Sequence, residues 1–191
     1  MSFSLDLAKF VEKAKGNTHQ VVQKTAIDLI AAVIDRSPVG NPELWASNKT
    51  AAEYNIEVVR YNQSLRDNPE NLTKAGRLKR GLKVNDSMDI SKPDGYVGGR
   101  FRGNWQVTFD VKASGTLERI DPQGGETKAA AQGVVLGFNS DVGTIWAVNN
   151  MIFGPRLEFE SWSSQAPAGM VRVSVAEFQT FVNEAAASLN T

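Results

Sequence analysis

Phosphate sites, metal sites and activated nucleophiles each demand particular residue types at particular spacings, and this chain carries fragments of several. Gly95-Tyr96-Val97-Gly98-Gly99-Arg100-Phe101-Arg102-Gly103 is rich in glycine and arginine, a composition that can aim backbone N–H groups at an anion. No Lys-Ser or Lys-Thr follows it, and it leads into a strand instead of opening a helix as a phosphate loop does. It reads as a loop feeding a strand. Asp86 with Asp89, and Glu158 with Glu160, are the carboxylate pairs that metal-assisted hydrolysis would need. Neither has calcium-loop spacing or a companion histidine. His19 is the single histidine, no Gly-x-Ser-x-Gly elbow accompanies it, and it reads as solvent-facing near a helix start. The absence of cysteine removes disulfides, thiol catalysis and thiolate metal sites together. The expectation is a protein that is not an enzyme, with no catalytic, metal or cofactor-binding residues and no cofactor.

Two other groups of residues stand out. Lys74, Arg77, Lys79, Arg80 and Lys83 place five positive charges in ten residues with no acid among them. Tyr54 and Tyr61 precede these charges without alternating with them, which argues against a base-stacking platform. The run reads as a solvated face, or as a patch facing DNA or an acidic partner. Trp45 and Trp162 lie in loops, where a tryptophan either anchors an interface or pins the loop.

The elements that must position these residues follow from periodicity. Phe3, Leu7, Phe10, Val11 and Ala14 predict a first helix, interrupted at Gly16-Asn17. Val22, Ala26, Leu29, Ile30, Val33 and Ile34 predict a second, ended by Ser37-Pro38. Tyr54, Val58, Tyr61 and Leu65 form one helical stripe, and Leu72, Ala75, Leu78 and Leu82 a weaker one. Together they predict a helical hairpin over 49–84. Trp105, Val107, Phe109 and Val111 alternate with polar residues as a half-buried strand does. Thr144–Asn149 predicts a short strand, residues 128–132 and 151–159 short helices, and 170–188 a closing helix with Val171, Val175, Phe178, Phe181, Val182 and Ala185 inward. The predicted fold is α+β. N-terminal helices and a long C-terminal helix pack on a small, mainly antiparallel sheet, without the strand–helix alternation of a parallel doubly wound fold.

The chain has 191 residues, the size of one domain, here 1–191 with an inserted helical arm over 46–92. Lys and Arg number 21 against 21 Asp and Glu, so neither a non-specific DNA coat nor a polybasic membrane binder is expected. The N-terminal residues lack the pattern of a secretory signal, and no apolar run is long enough to span a bilayer.

Two stretches together resemble a known family. Ser37-Pro38-Val39, taken with Gly99-Arg100-Phe101-Arg102-Gly103-Asn104-Trp105, forms the first. The second comprises Asn149-Asn150, Leu157-Glu158-Phe159, Trp162-Ser163 and Gln165-Ala166-Pro167-Ala168-Gly169-Met170-Val171. They are similar to the signatures of tailed-bacteriophage neck proteins, also called tail-completion, minor tail or head–tail joining proteins. That family has Tyr-Ala where this chain has Phe153-Gly154, and a glycine before the tryptophan where this chain has Glu160-Ser161. The resemblance leaves out the segment 46–92. It implies a structural virion protein, assembled in the host cytoplasm into the neck as a cyclic ring of its own copies. Its partners would be head connector or adaptor proteins, tail terminator or tail tube proteins, and packaged DNA in the channel, with no membrane. Trp45, Arg100, Arg102, Trp162, Gln165, Pro167 and Gly169 become interface or loop-anchoring candidates. Tyr54, Val58, Tyr61 and Leu65 would pack the arm. The rival reading is a DNA-binding or DNA-processing protein using 74–83 and the nearby carboxylates; a third is a monomeric binding module.

Overall fold

The computed structural model describes residues 3–189, with side chains from residue 12 onward. The apolar stripe expected over Phe3, Leu7, Phe10 and Val11 lies outside the described side chains. In chain order the elements are α1 (Phe3–Arg36), α2 (Lys49–Ser64), α3 (Arg100–Gly103), β1 (Trp105–Phe109), α4 (Gly125–Val135), β2 (Ile145–Asn149), α5 (Gly154–Phe159), α6 (Val171–Ala176) and α7 (Phe178–Ala187). This is an α+β fold, as the periodicities predict. The chain divides into two compact units, Met1–Gly40 with Val97–Thr191, and Asn41–Tyr96. The second begins and ends a few residues outside the 46–92 expected for the insertion. Among the described residues no helix is long and apolar enough to cross a membrane.

In the first unit α1 is one helix of 34 residues, not two. A glycine inside a helix costs only about 1 kcal/mol relative to alanine, less than breaking the hydrogen-bond ladder on both sides. The Thr18 hydroxyl donates back to the Ala14 carbonyl, so it adds to the turn that contains Gly16-Asn17 without capping a new helix. The end at Ser37-Pro38 is as expected. The predicted stripe of α1 delivers Ile30, Val33 and Ile34 to the core, where they meet Phe101, Trp105, Val107, Val135, Leu157 and Met170. Trp105 and Val107 are buried, and Phe109 at the strand end is half-buried. β1 and β2 pair antiparallel, with Trp105 opposite Asn149 and Phe109 opposite Ile145.

The closing helix departs from expectation. It breaks at Glu177 (φ −93°, ψ 3°), whose carboxylate accepts from Arg36 at 2.7 Å. The break changes which side chains face inward: Ala185 is buried, but Val175 is 53% and Phe178 46% exposed.

The second unit corrects the hairpin. α2 forms, but no partner helix follows. Residues 65–71 make two short 3₁₀ turns, Leu72 and Leu78 close a tight turn by an isolated β-bridge, and Val84–Ser91 returns without helix or strand. The returning segment is held by three asparagines of one α2 face. Asn62 accepts from the Val84 N–H at 2.9 Å and donates to its carbonyl at 2.7 Å. Asn55 does the same with Met88 at 2.8 and 2.9 Å, and Asn48 with Ser91 at 3.0 and 2.7 Å. The match is metric. Fourteen helical residues rise about 21 Å, and seven extended residues span about 23 Å. Each carboxamide offers one donor and one acceptor, so it replaces the neighbouring strand that an extended segment would otherwise require.

That ladder also corrects the predicted arm stripe. Val58 and Leu65 are half-buried, but Tyr54 and Tyr61 are 38% and 53% exposed. The inward face reads Asn48, Ala51, Asn55, Val58, Asn62 and Leu65, spaced three and four apart.

Candidate functional site

The residues of the two signature stretches meet in the first unit and bond to one another. The buried Ser37 hydroxyl donates to the Val33 carbonyl at 2.8 Å and accepts from the Trp105 indole N–H at 2.8 Å. Arg102 aims its guanidinium at the C-terminal end of α1, donating to the carbonyls of Asp35 (2.9 Å) and Ser37 (2.6 Å), and also to Pro122 (2.7 Å). The last carbonyls of a helix have no partner within it, so a cation there fills both an electrostatic and a hydrogen-bonding need. Asn104, fully buried, bridges the Arg100 and Leu117 carbonyls and accepts from the Leu117 N–H. Asn149 ties β2 to the Phe101 carbonyl at 2.8 Å. Gln165 pairs its amide with the backbone of Val39, donating at 2.7 Å and accepting at 3.2 Å.

Glu158 caps a helix start. Its carboxylate accepts from the backbone N–H groups of Met170 (2.8 Å), Val171 (3.0 Å) and Arg172 (2.9 Å), at the start of α6. The Arg172 guanidinium lies 3.4 Å away and also donates to the Glu158 carbonyl. Burial pushes the Glu158 pKa up, but the three N–H donors and Arg172 outweigh it and hold the carboxyl below its usual range. Gly169 makes the approach possible. Its φ is +81°, and a Cβ there would sit 2.6 Å from the Glu158 carbonyl oxygen. Pro167 precedes it, with its carbonyl accepting from the Ser161 hydroxyl at 2.6 Å. Asp121 plays a parallel role for α4, accepting from the Thr127 N–H and hydroxyl, both at 2.8 Å. There too burial raises the pKa, and the donors with Arg119 bring it below its ordinary value.

The remaining candidates separate. Arg100 is exposed and paired with Glu118 at 3.0 Å. The glycine-arginine segment is a loop over 95–99, as expected, and then forms the short helix α3 before the strand. His19 lies well inside α1, half-buried and edge-on to Phe138 at 5.8 Å, not solvent-facing at a helix start. Asp86 accepts from the Tyr54 hydroxyl at 2.5 Å, and that hydrogen bond raises the tyrosine pKa. Glu160 pairs with Arg156 at 4.0 Å. Among the described residues no group of three or more metal-ligating side chains comes together. Lys74, Arg77, Lys79, Arg80 and Lys83 are all exposed, on a turn instead of a helix.

Each unit leaves apolar residues exposed. In the first unit Ile152 is 94%, Phe159 67% and Trp162 57% exposed. Trp162 packs on Phe153 with its ring under Arg156, and Phe159 lies under Arg172. In the second unit Leu44, Ala52, Ile56, Val59 and Ile90 line an open groove of about 360 Å³. Trp45 there packs edge-on to Tyr96 at 5.1 Å, which pins the two ends of the unit together.

Sequence reasoning missed Asp121, the Asn48–Asn55–Asn62 ladder and the role, though not the presence, of Ser37. The ladder had a visible signal, an Asn at 48, 55 and 62, the first just before the predicted helix and the others along it. Comparison with known proteins finds no matching family model, no matching curated protein and no matching solved structure.

Proposed function

We propose that this protein is a structural subunit of a tailed-phage neck, forming a ring that joins the head connector to the tail and acting by binding instead of catalysis. The observation that carries the reading is the mutual bonding of the signature residues. Ser37, Arg102, Trp105, Asn149, Glu158, Gln165 and Gly169 come from distant parts of the chain and interlock as one frame. A signature spread over both ends of a sequence has a physical reason to stay together when its members hold one fold. Ser161 adds to this. It stands directly before Trp162, where the neck family has glycine, and its φ is +51°, the left-handed region that glycine enters without cost.

The surfaces fit the same reading. A ring closed head to tail needs two different patches on each subunit. The chain offers an arginine-stacked aromatic patch around Trp162 and a separate aliphatic groove along α2. Tryptophan and arginine are the side chains that most often dominate interface energetics. Of the carboxylates that a DNA-processing enzyme would recruit, Glu158 is committed to backbone N–H groups, Glu160 pairs with Arg156 and Asp86 with Tyr54, while Asp89 is exposed.

Native mass spectrometry and negative-stain electron microscopy of the purified chain, alone and with its candidate connector, test the proposal. Closed rings of one copy number are expected, and Trp162→Ala should reduce them to smaller species while leaving the monomer folded. A strictly monomeric chain with and without the connector, or metal-dependent cleavage of DNA that purifies with it, sinks the reading.

A further inference from the structure

The basic turn of the second unit is the one strongly charged feature that the ring reading does not use. Lys74, Arg77, Lys79, Arg80 and Lys83 are all exposed, and among the described residues none of their side chains forms an ion pair or a hydrogen bond. Asp67 and Glu70, the nearest acids upstream, do not pair with them, and downstream Asp86 is bound to Tyr54. The backbone beneath them is well tied. Thr73 N–H donates to the Arg77 carbonyl at 2.7 Å, Lys79 N–H to Asn71 at 2.8 Å, and Arg77 N–H to the Thr73 hydroxyl at 3.2 Å. Left-handed Gly76 and Gly81 turn the corners at φ +72° and +86°. Leu72, Leu78 and Leu82 are half-buried below, so the outward side chains are almost all cations.

We infer that this turn is a contact for the phosphate backbone of duplex DNA, made without reading sequence. The side chains themselves select that partner. A protein interface has an apolar core with few lysines, and this turn presents no exposed large apolar residue. A single-strand platform needs aromatic rings for base stacking, and the turn has none. Bidentate recognition of an adenine edge uses Asn or Gln, and the segment 72–84 holds neither. Unpaired cations at fixed spacing are what sequence-independent phosphate binding requires, through release of condensed counterions. The inference goes beyond the ring reading and does not depend on it: a chain that forms rings without touching DNA loses this inference alone.

The test is fluorescence anisotropy of the full chain with a 30-base-pair duplex of arbitrary sequence, from 50 to 200 mM salt. If all five cations engage, log affinity falls against log salt with a slope of about −4.5, a loss of about 500-fold over that range. Lys79→Gln should make the slope shallower by about 0.9, and the variant with all five cations changed to Gln should lose measurable binding at 50 mM salt. Lys49→Gln and Lys92→Gln, outside the turn, should bind as the parent does. Circular dichroism establishes that each variant is folded; if the five-fold variant is not, the slope of Lys79→Gln decides. No duplex binding at 50 mM salt overturns the inference. So does an unchanged slope in Lys79→Gln, or a five-fold variant that binds like the parent. Tighter binding of a single strand of equal length overturns it in favour of stacking, and equal binding of poly-glutamate in favour of an acidic protein.

Discussion

Glu158 illustrates how a residue's chemistry is set by its neighbours. As one of two nearby carboxylates it has the composition of a hydrolytic site. Held under three backbone N–H groups and Arg172 it is a helix cap. Its pKa is lowered on folding, so the fold favours the charged form. The resulting stability is full above the unfolded glutamate value near 4.5 and is lost as pH falls through the lower folded value. Glu158→Gln replaces one accepting oxygen by an NH₂ group facing N–H donors. It should cost about 1–3 kcal/mol at pH 7, measured by urea unfolding. The gap between variant and parent should narrow as pH falls below 4.5 and the parent carboxyl takes up its proton. A gap that is constant from pH 7 to pH 3 would assign the cost to shape instead of charge.

At the scale of elements, α2 stands with an extended segment for a neighbour, and the asparagine ladder explains how. Three carboxamides convert one helix face into a surrogate strand edge, with Ala51 and Val58 between the rungs and Leu65 beyond the last. Asn55→Ala removes the middle rung and leaves the Met88 N–H and carbonyl to water. The stability cost should be modest, about 1 kcal/mol, because the site is partly exposed. Amide hydrogen exchange is the sharper readout: exchange at Met88 should accelerate well beyond that at core amides of β1. Unchanged protection at Met88 would mean that the ladder does not hold the segment.

For the whole molecule, the division into two units makes a prediction about independence. Gly98 lies so close to Gly40 that a Cβ on it would sit 2.0 Å from the Gly40 carbonyl oxygen. The chain therefore leaves and re-enters the first unit at nearly one point. The core of that unit draws on Ile30, Ile34, Phe101, Trp105, Val135 and Met170, none of them from 41–96. Deleting residues 41–96 and joining the ends through Gly-Gly should leave a first unit that melts cooperatively and keeps its near-ultraviolet tryptophan signal. Loss of the cooperative transition would place the insertion in the folding core.

Local periodicity was enough for much of this architecture. The 22–36 portion of α1, both strands and the start of α2 are one-dimensional patterns, because a helix or strand facing one core must repeat its apolar residues at its own period. The signature residues were equally visible as letters. Their roles were not, since Ser37 and Trp105, or Gln165 and Val39, are partners only after the chain has brought remote segments together. The same holds for two of the errors of organisation. Gly16-Asn17 reads as a break locally, but the helical ladder runs through it; the segment 72–82 reads as a helix locally, but a β-bridge and turn hydrogen bonds take its backbone. Periodicity reports which face of a segment is buried. Which polar group satisfies which remote backbone atom is decided only in three dimensions, because sequence separation carries no information about it.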